Sequence, residues 1–216
     1  MSVKAALDAA DFPRALVAMA DAIIESEARL NALDAAAGDG DHGITMRLGF
    51  LAVKDRLARV LEDAGFSGQL MESAKAFMSV TGGAIGVILA KMLMGGAAAL
   101  RESQSLGPAE FSAMLAGMEA AIAKAGKAQP GDKTILDAVH AAAEAARTAA
   151  ESGMPLEATV AAAATAAEDA AASTSHMTCR IGRASRLGDR SLGHPDPGAV
   201  SFSIMMRAFK RSLQDA

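Results

Sequence analysis

The sequence predicts an all-α fold, a single-domain barrel or bundle of about eight antiparallel helices with a binding site at one end. Three observations predict it. Apolar residues recur at helical spacing along almost the whole chain, Gly and Pro mark the places where these segments stop and start, and no stretch alternates as a convincing strand. The chain has 216 residues, enough for one sizeable core, and no long linker divides it. One domain over residues 1–216 is expected.

The elements follow in order. A first helix is expected from Pro13 to about Leu33, with Asp11 as its cap and Pro13 in the opening turn. Leu16, Met19, Ile23, Leu30 and Leu33 form its apolar stripe. The second runs from about Ile44 to Asp63 and the third from about Gly68 to Ser79. The fourth opens at Gly82-Gly83 and reaches about Leu100, and the fifth runs from Gly107-Pro108 to Gly126. Pro130-Gly131-Asp132 starts a sixth, stopped by Gly153 and Pro155. A seventh spans Leu156 to Ser175, and after an irregular segment Asp196-Pro197 opens a last helix ending near Gln214. The alanine-rich stretch from Ala141 to Ala172 reads as a packing region, because alanine favours helix and lets helix axes approach closely. Glu25, Lys54, Arg56 and Glu62 read as solvated faces.

Composition narrows the function. A net charge of −4 argues against nucleic-acid binding, and no apolar run is long enough for a membrane span. A single cysteine, Cys179, leaves no internal disulfide framework and fits a reducing cytoplasm, where a small buried thiol is the default. Aromatic residues make up 3% of the chain, so a nucleotide base would be gripped mainly by aliphatic side chains, methionine and backbone.

The chemically unusual segments all fall at helix junctions. Asp34 precedes Gly38-Asp39-Gly40-Asp41-His42-Gly43. Crowded carboxylates repel unless a cation sits among them, and hard oxygen ligands suit Mg²⁺ or Ca²⁺. The spacing does not fit an EF-hand, since Gly43, Ile44 and Phe50 stand where that loop needs an acid, a glycine and a glutamate. A plain Asp/Gly turn with Asp41 capping the next helix is the competing reading. Thr81-Gly82-Gly83-Ala84-Ile85-Gly86 opens a helix with small residues, which suits an anion or a tight packing corner. In Gly131-Asp132-Lys133-Thr134, Asp132 or Thr134 serves as a cap with Lys133 exposed, or the turn faces a nucleotide. Gly182-Arg183-Ala184-Ser185 and Gly193-His194-Pro195-Asp196-Pro197-Gly198 are too irregular for a core helix, and their arginines suit phosphate. In an up-and-down bundle alternate junctions share an end, so 34–43, 80–86, 130–134 and 180–198 should meet there.

In this order, over nearly the whole chain, these motifs resemble the DhaL family, the nucleotide-binding subunits or domains of dihydroxyacetone kinases. The resemblance implies a barrel of eight antiparallel helices holding ADP or ATP at one end. It implies two Mg²⁺ ions on Asp34, Asp39 and Asp41, with Gly82, Gly83, Ala84 and Ile85 offering N–H groups to the phosphates. Thr134 and Ile135, with Gly131, would lie near the base and Arg183 near the diphosphate. His42 and Ser185 would support them, and Asp196 and Pro197 complete the nucleotide-binding set. The family's ketose is held on a separate sugar-binding subunit, so this chain is expected to be a kinase only with that partner. A phosphotransferase-system protein or free ATP would supply the phosphoryl group, and a homodimer and a cytoplasmic location are further expectations. One departure is clear: where many members carry serine and proline around the glycine after Gly-Gly-Ala, this chain has Ile85 and Val87.

Overall fold

In a computed structural model, the described residues are 6–36, 38–59, 64–182, 185 and 191–214. Nine helices are present among them: α1 Phe12–Glu25, α2 Glu27–Ala35, α3 His42–Leu57, α4 Gly65–Val80, α5 Gly83–Ala99, α6 Pro108–Gly126, α7 Ile135–Glu151, α8 Leu156–Ser173 and α9 Pro197–Gln214. A two-residue antiparallel bridge pairs Leu7 with Leu106 and Asp8 with Ser105.

The additional helix comes from a break in the expected first one. The Ser26 N–H donates to Ile23 O and its hydroxyl donates to Ala22 O, which closes α1 before α2 begins. Both pieces pack between α3 and α9, so together they occupy one position in the bundle. Each later helix packs on the next in chain order, and α9 returns to α1 to close the ring. The all-α fold therefore holds with eight positions and nine segments.

All seven phenylalanines are buried in the core. Phe12 meets Phe66 edge-on at 5.2 Å between centroids, and Phe209 stacks on Phe111 at 5.6 Å. Elsewhere small residues set the spacing. A Cβ on Gly95 would lie 2.2 Å from Gly117 O, so α5 and α6 touch backbone to backbone. Ala142, Ala146, Ala163 and Ala167 are fully buried where α7 meets α8, as the alanine-rich composition implies.

Antiparallel neighbours bring the junctions before α3, α5, α7 and α9 to one end of the barrel. Direct contacts fasten three of them together. His42 reaches Ser201, Arg180 N donates to Asp132 O, and Ile135 lies against Gly198.

Candidate metal and phosphate site

The acidic turn is built from α2 upward. Glu27, Asn31 and Asp34 follow one another at i, i+4 and i+7, so they share a face of α2. That face grips the start of α3. Glu27 pairs with Arg47 at 2.7 Å, and Asn31 Oδ1 accepts from Ile44 N at 3.1 Å. Asp34 Oδ2 accepts from the N–H groups of Gly40, Asp41 and His42 at 2.9, 3.1 and 3.3 Å.

These bonds test one part of the plain-turn reading, the capping role of Asp41. Asp41 does occupy the N-cap position of α3, but its side chain makes no cap bond. The orphan donors are taken by Asp34 and Asn31 instead. One carboxylate oxygen from each of Asp34, Asp39 and Asp41 lies within 4.8 Å of the other two, with Asp39 and Asp41 exposed and Asp34 half-buried. Three carboxylates at that separation form a hard-oxygen donor set that fits a divalent cation. Gly40 at φ 78° supplies the left-handed turn that lets the chain fold back over Asp34.

His42 is buried beneath this turn. Its Nε2 is 2.7 Å from Ser201 Oγ, whose own proton goes to Pro197 O at 2.9 Å. Nε2 must therefore carry the hydrogen and donate to Ser201. Burial lowers the pKa of His42 to about 4 against the opposing pull of Asp34, so the ring is neutral at pH 7.

The second segment opens α5. Gly82 is the extended N-cap residue and Gly83 has φ 71°, and both are exposed, as is Ala84. Among the described residues no side chain caps this first turn, so its N–H groups face outward at the positive end of the helix dipole. Ile85 turns its side chain partly into the core.

The third and fourth segments are locked by Lys133. The expectation that Lys133 is exposed is not met. It is 4% exposed, sits at φ 60°, and donates from Nζ to Met177 O at 3.1 Å, Ser191 O at 2.5 Å and His194 O at 2.8 Å. Burial lowers its pKa, opposed by Asp196 and Cys179. Thr134 caps α7 by accepting from Leu136 N at 3.2 Å, and Asp137 returns to Thr134 N at 2.7 Å and Gly131 N at 2.5 Å. Asp196 Oδ2 accepts from Ala199 N at 2.7 Å and so caps α9, while burial raises its pKa. Pro197 is the first residue of that helix. The Ser185 hydroxyl donates to Gly182 O at 2.7 Å. Cys179 is buried, as expected, and burial raises its pKa. Arg183 lies outside the described residues.

Sequence reasoning missed Asn31 and the role of Lys133. The polar i, i+4, i+7 series Glu27, Asn31, Asp34 was the available signal for the first. Nothing local to Lys133 signalled its three distant carbonyl partners.

The DAK2 domain model matches residues 36–211. The chain is 36% identical over 179 residues to the ADP-binding subunit DhaL of the PEP-dependent dihydroxyacetone kinase of Escherichia coli K12, covering 82% of this chain and 84% of that one. It is 32% identical over 211 residues to an ADP-binding subunit DhaL of Listeria innocua, covering 97% of both. Against the L-erythrulose kinase of Pectobacterium atrosepticum it is 34% identical over 92% of its own length but spans only 34% of that relative. Among solved structures, the dihydroxyacetone kinase of C. freundii in complex with AMP-PNP and Mg²⁺ superposes with a TM-score of 0.73 at 23% identity, over 93% of this chain and 33% of that one. No helix among the described residues is long and apolar enough to cross a membrane.

Proposed function

The chain belongs to the DAK2 domain family, and from that premise we propose that it is the nucleotide-binding subunit of a dihydroxyacetone-type kinase. The observation that carries this reading is the acidic turn, where Asp34, Asp39 and Asp41 converge and Asp34 is fixed by three backbone N–H groups.

Asp34, Asp39 and Asp41 would hold two Mg²⁺ ions, which when bound neutralise phosphate charge during transfer. The chain's own part is to position and exclude. Asp34 holds the turn closed through Gly40, Asp41 and His42, so the two exposed carboxylates are presented together rather than as a mobile acidic loop. Gly82, Gly83, Ala84 and Ile85 direct N–H groups at the phosphates of ADP or ATP. Gly131, Thr134 and Ile135 border the base, and Asp196 and Pro197 close that side by starting α9. His42 is a neutral strut under the turn, and Ser185 and Arg183 belong to the diphosphate side. Such positioning and charge neutralisation supply most of what phosphoryl transfer requires of a protein.

The acceptor ketose is held by a separate sugar-binding subunit, and either a phosphotransferase-system protein rephosphorylates the bound ADP or free ATP exchanges for it. The whole chain acts as one domain of a cytoplasmic enzyme. The match to an L-erythrulose kinase over 92% of this chain makes a four-carbon ketose the second acceptor to try.

The test has two arms. Calorimetry with ADP and Mg²⁺ should show binding that EDTA and Asp41→Asn each abolish. Labelled phosphate should reach a triose only when the chain, a sugar-binding subunit and a donor are combined. Mg²⁺-independent ADP binding that survives Asp41→Asn refutes the metal assignment, and triose phosphorylation by the pure chain alone refutes the division into subunits.

A further inference from the structure

Lys133 is an expensive residue for a turn. Its side chain is buried and its backbone is left-handed, and glycine would avoid both costs. The ammonium has three hydrogens, and three backbone carbonyls take them: Met177, just past α8, and Ser191 and His194, just before α9. Other bonds draw the same pieces together. Arg180 N donates to Asp132 O at 3.2 Å and Cys179 N to Ser191 Oγ at 3.0 Å. Gly193 N donates to Ser175 O and Asp196 N to Thr174 Oγ1, both at 2.8 Å. The turn before α7, the end of α8 and the approach to α9 therefore surround one cation. Beyond it the first turns of α7 and α9 touch, since a Cβ on Gly198 would lie 3.2 Å from Ile135 Cβ.

The charge matters as well as the bonds. Two capping carboxylates meet at this junction: Asp137 accepts from Gly131 N and Thr134 N, and Asp196 from Ala199 N. Asp196 keeps part of its residue surface exposed, yet its carboxyl is desolvated, which raises its pKa to about 7. Asp137 on α7 adds to that rise and Lys133 opposes it. On the approach side, burial keeps the Cys179 thiol protonated, with Asp132 acting in the same direction, and His194 is exposed.

Resting on the functional reading above, we propose that Lys133 is a positioning residue for the nucleotide, whose ammonium holds the start of α9 against the start of α7 and keeps Asp196 anionic beside Asp137. Lys133 directs all three N–H groups at protein carbonyls, so it acts through Gly131, Thr134, Asp196 and Pro197 and not by touching the nucleotide itself.

The experiment measures ADP affinity in saturating Mg²⁺ from pH 7 to 8.5 for the native chain, Lys133→Met and Lys133→Arg, with thermal unfolding of each. Methionine fills similar volume without charge, and arginine keeps the charge with a differently shaped head. The anionic form of Asp196 is the one that caps α9, so affinity rises with pH as this carboxyl ionises. In the native chain that rise should be about twofold, because a group with a pKa of about 7 is half ionised at pH 7. Lys133→Met should bind at least about tenfold more weakly at pH 7. Its deficit should shrink several-fold by pH 8.5, because loss of the cation moves Asp196 to a higher pKa. Lys133→Arg should keep the native pH dependence even where its affinity is lower. Native affinity in Lys133→Met, or a deficit that is the same at every pH, overturns the proposal. If Lys133→Met does not unfold cooperatively, Lys133→Arg decides, and a pH profile displaced upward in that variant overturns it. Loss of cooperative unfolding in both shows that Lys133 supports the barrel as a whole and likewise overturns it. A native chain that binds no Mg·ADP refutes the functional reading, and this proposal with it.

Discussion

Gly38→Ala isolates the acidic turn from the fold that carries it. Gly38 is not in the left-handed region, so its backbone accepts alanine. The obstacle is the new Cβ, which would stand 2.3 Å from Asp34 Oδ1 and 2.9 Å from Asp34 Cγ. Such a contact is impossible, and the carboxylate is the part able to move. Moving it pulls Oδ2 away from three N–H groups now at 2.9–3.3 Å. A hydrogen bond to a charged group contributes about 1.5–3 kcal/mol. Losing the equivalent of one should weaken Mg²⁺-dependent ADP binding by about 10- to 150-fold. The barrel should persist, since none of its buried aromatic contacts involves this turn. Calorimetric titration of ADP in saturating Mg²⁺, paired with thermal unfolding in EDTA, measures both quantities. Native ADP affinity in this variant would show that Asp34 is not a positioned part of the site. Loss of cooperative unfolding would show that the turn supports the barrel itself.

Three further outcomes follow from other contacts. Gly43→Ala places a Cβ 2.1 Å from the backbone carbonyl of Glu27, which cannot swing aside, so α3 must shift from α2 and stability should fall by about 1–3 kcal/mol in urea unfolding. His42 has a folded pKa of about 4, below its unfolded value near 6.5, because burial outweighs Asp34. Between those values the unfolded chain binds a proton that the folded chain refuses, so metal-free stability should fall as pH drops from about 6.5 to 4, by roughly 3 kcal/mol in all, and His42→Gln should flatten that slope. Ile85→Ser removes a side chain that packs partly on the core, costing about 1–2 kcal/mol in a melt, while adding a hydroxyl at the uncapped first turn of α5 that, on the proposed function, should tighten Mg·ADP binding by about tenfold or less. If the native chain fails to bind Mg·ADP and only the serine variant does, the hydroxyl is indispensable.

The parts of the fold legible in sequence were those that one periodicity or one local repulsion could specify. The expected helices begin or end within a few residues of a Gly or Pro, as at Gly107-Pro108 and Gly153. The Asp/Gly turn announced itself because crowded carboxylates need a reason to stay together. The break at Ser26 was invisible, since Ile23 and Leu30 keep the same buried phase across it and only the Ser26 bonds to Ala22 and Ile23 reveal the change. The sixth helix starts at Ile135 rather than near Pro130 because the capping box of Thr134 and Asp137 defines its first turn and leaves Gly131 at φ 95° outside it.

Lys133 shows why the remainder had to wait for three dimensions. Its neighbours in sequence argue for an exposed turn lysine, and a lysine at φ 60° is strained as well as desolvated. Both costs are offset by Met177, Ser191 and His194, carbonyls that lie 44 to 61 residues away and carry no side-chain signature. The acidic turn uses the opposite strategy. There an anion, Asp34, collects N–H groups six to eight residues away. One end of the barrel is thus pinned twice: a carboxylate gathers donors at the acidic turn, and an ammonium gathers acceptors between the turn before α7 and the segment before α9. The first pin is legible because its partners are local, and the second is not because its partners are backbone atoms assembled by the fold.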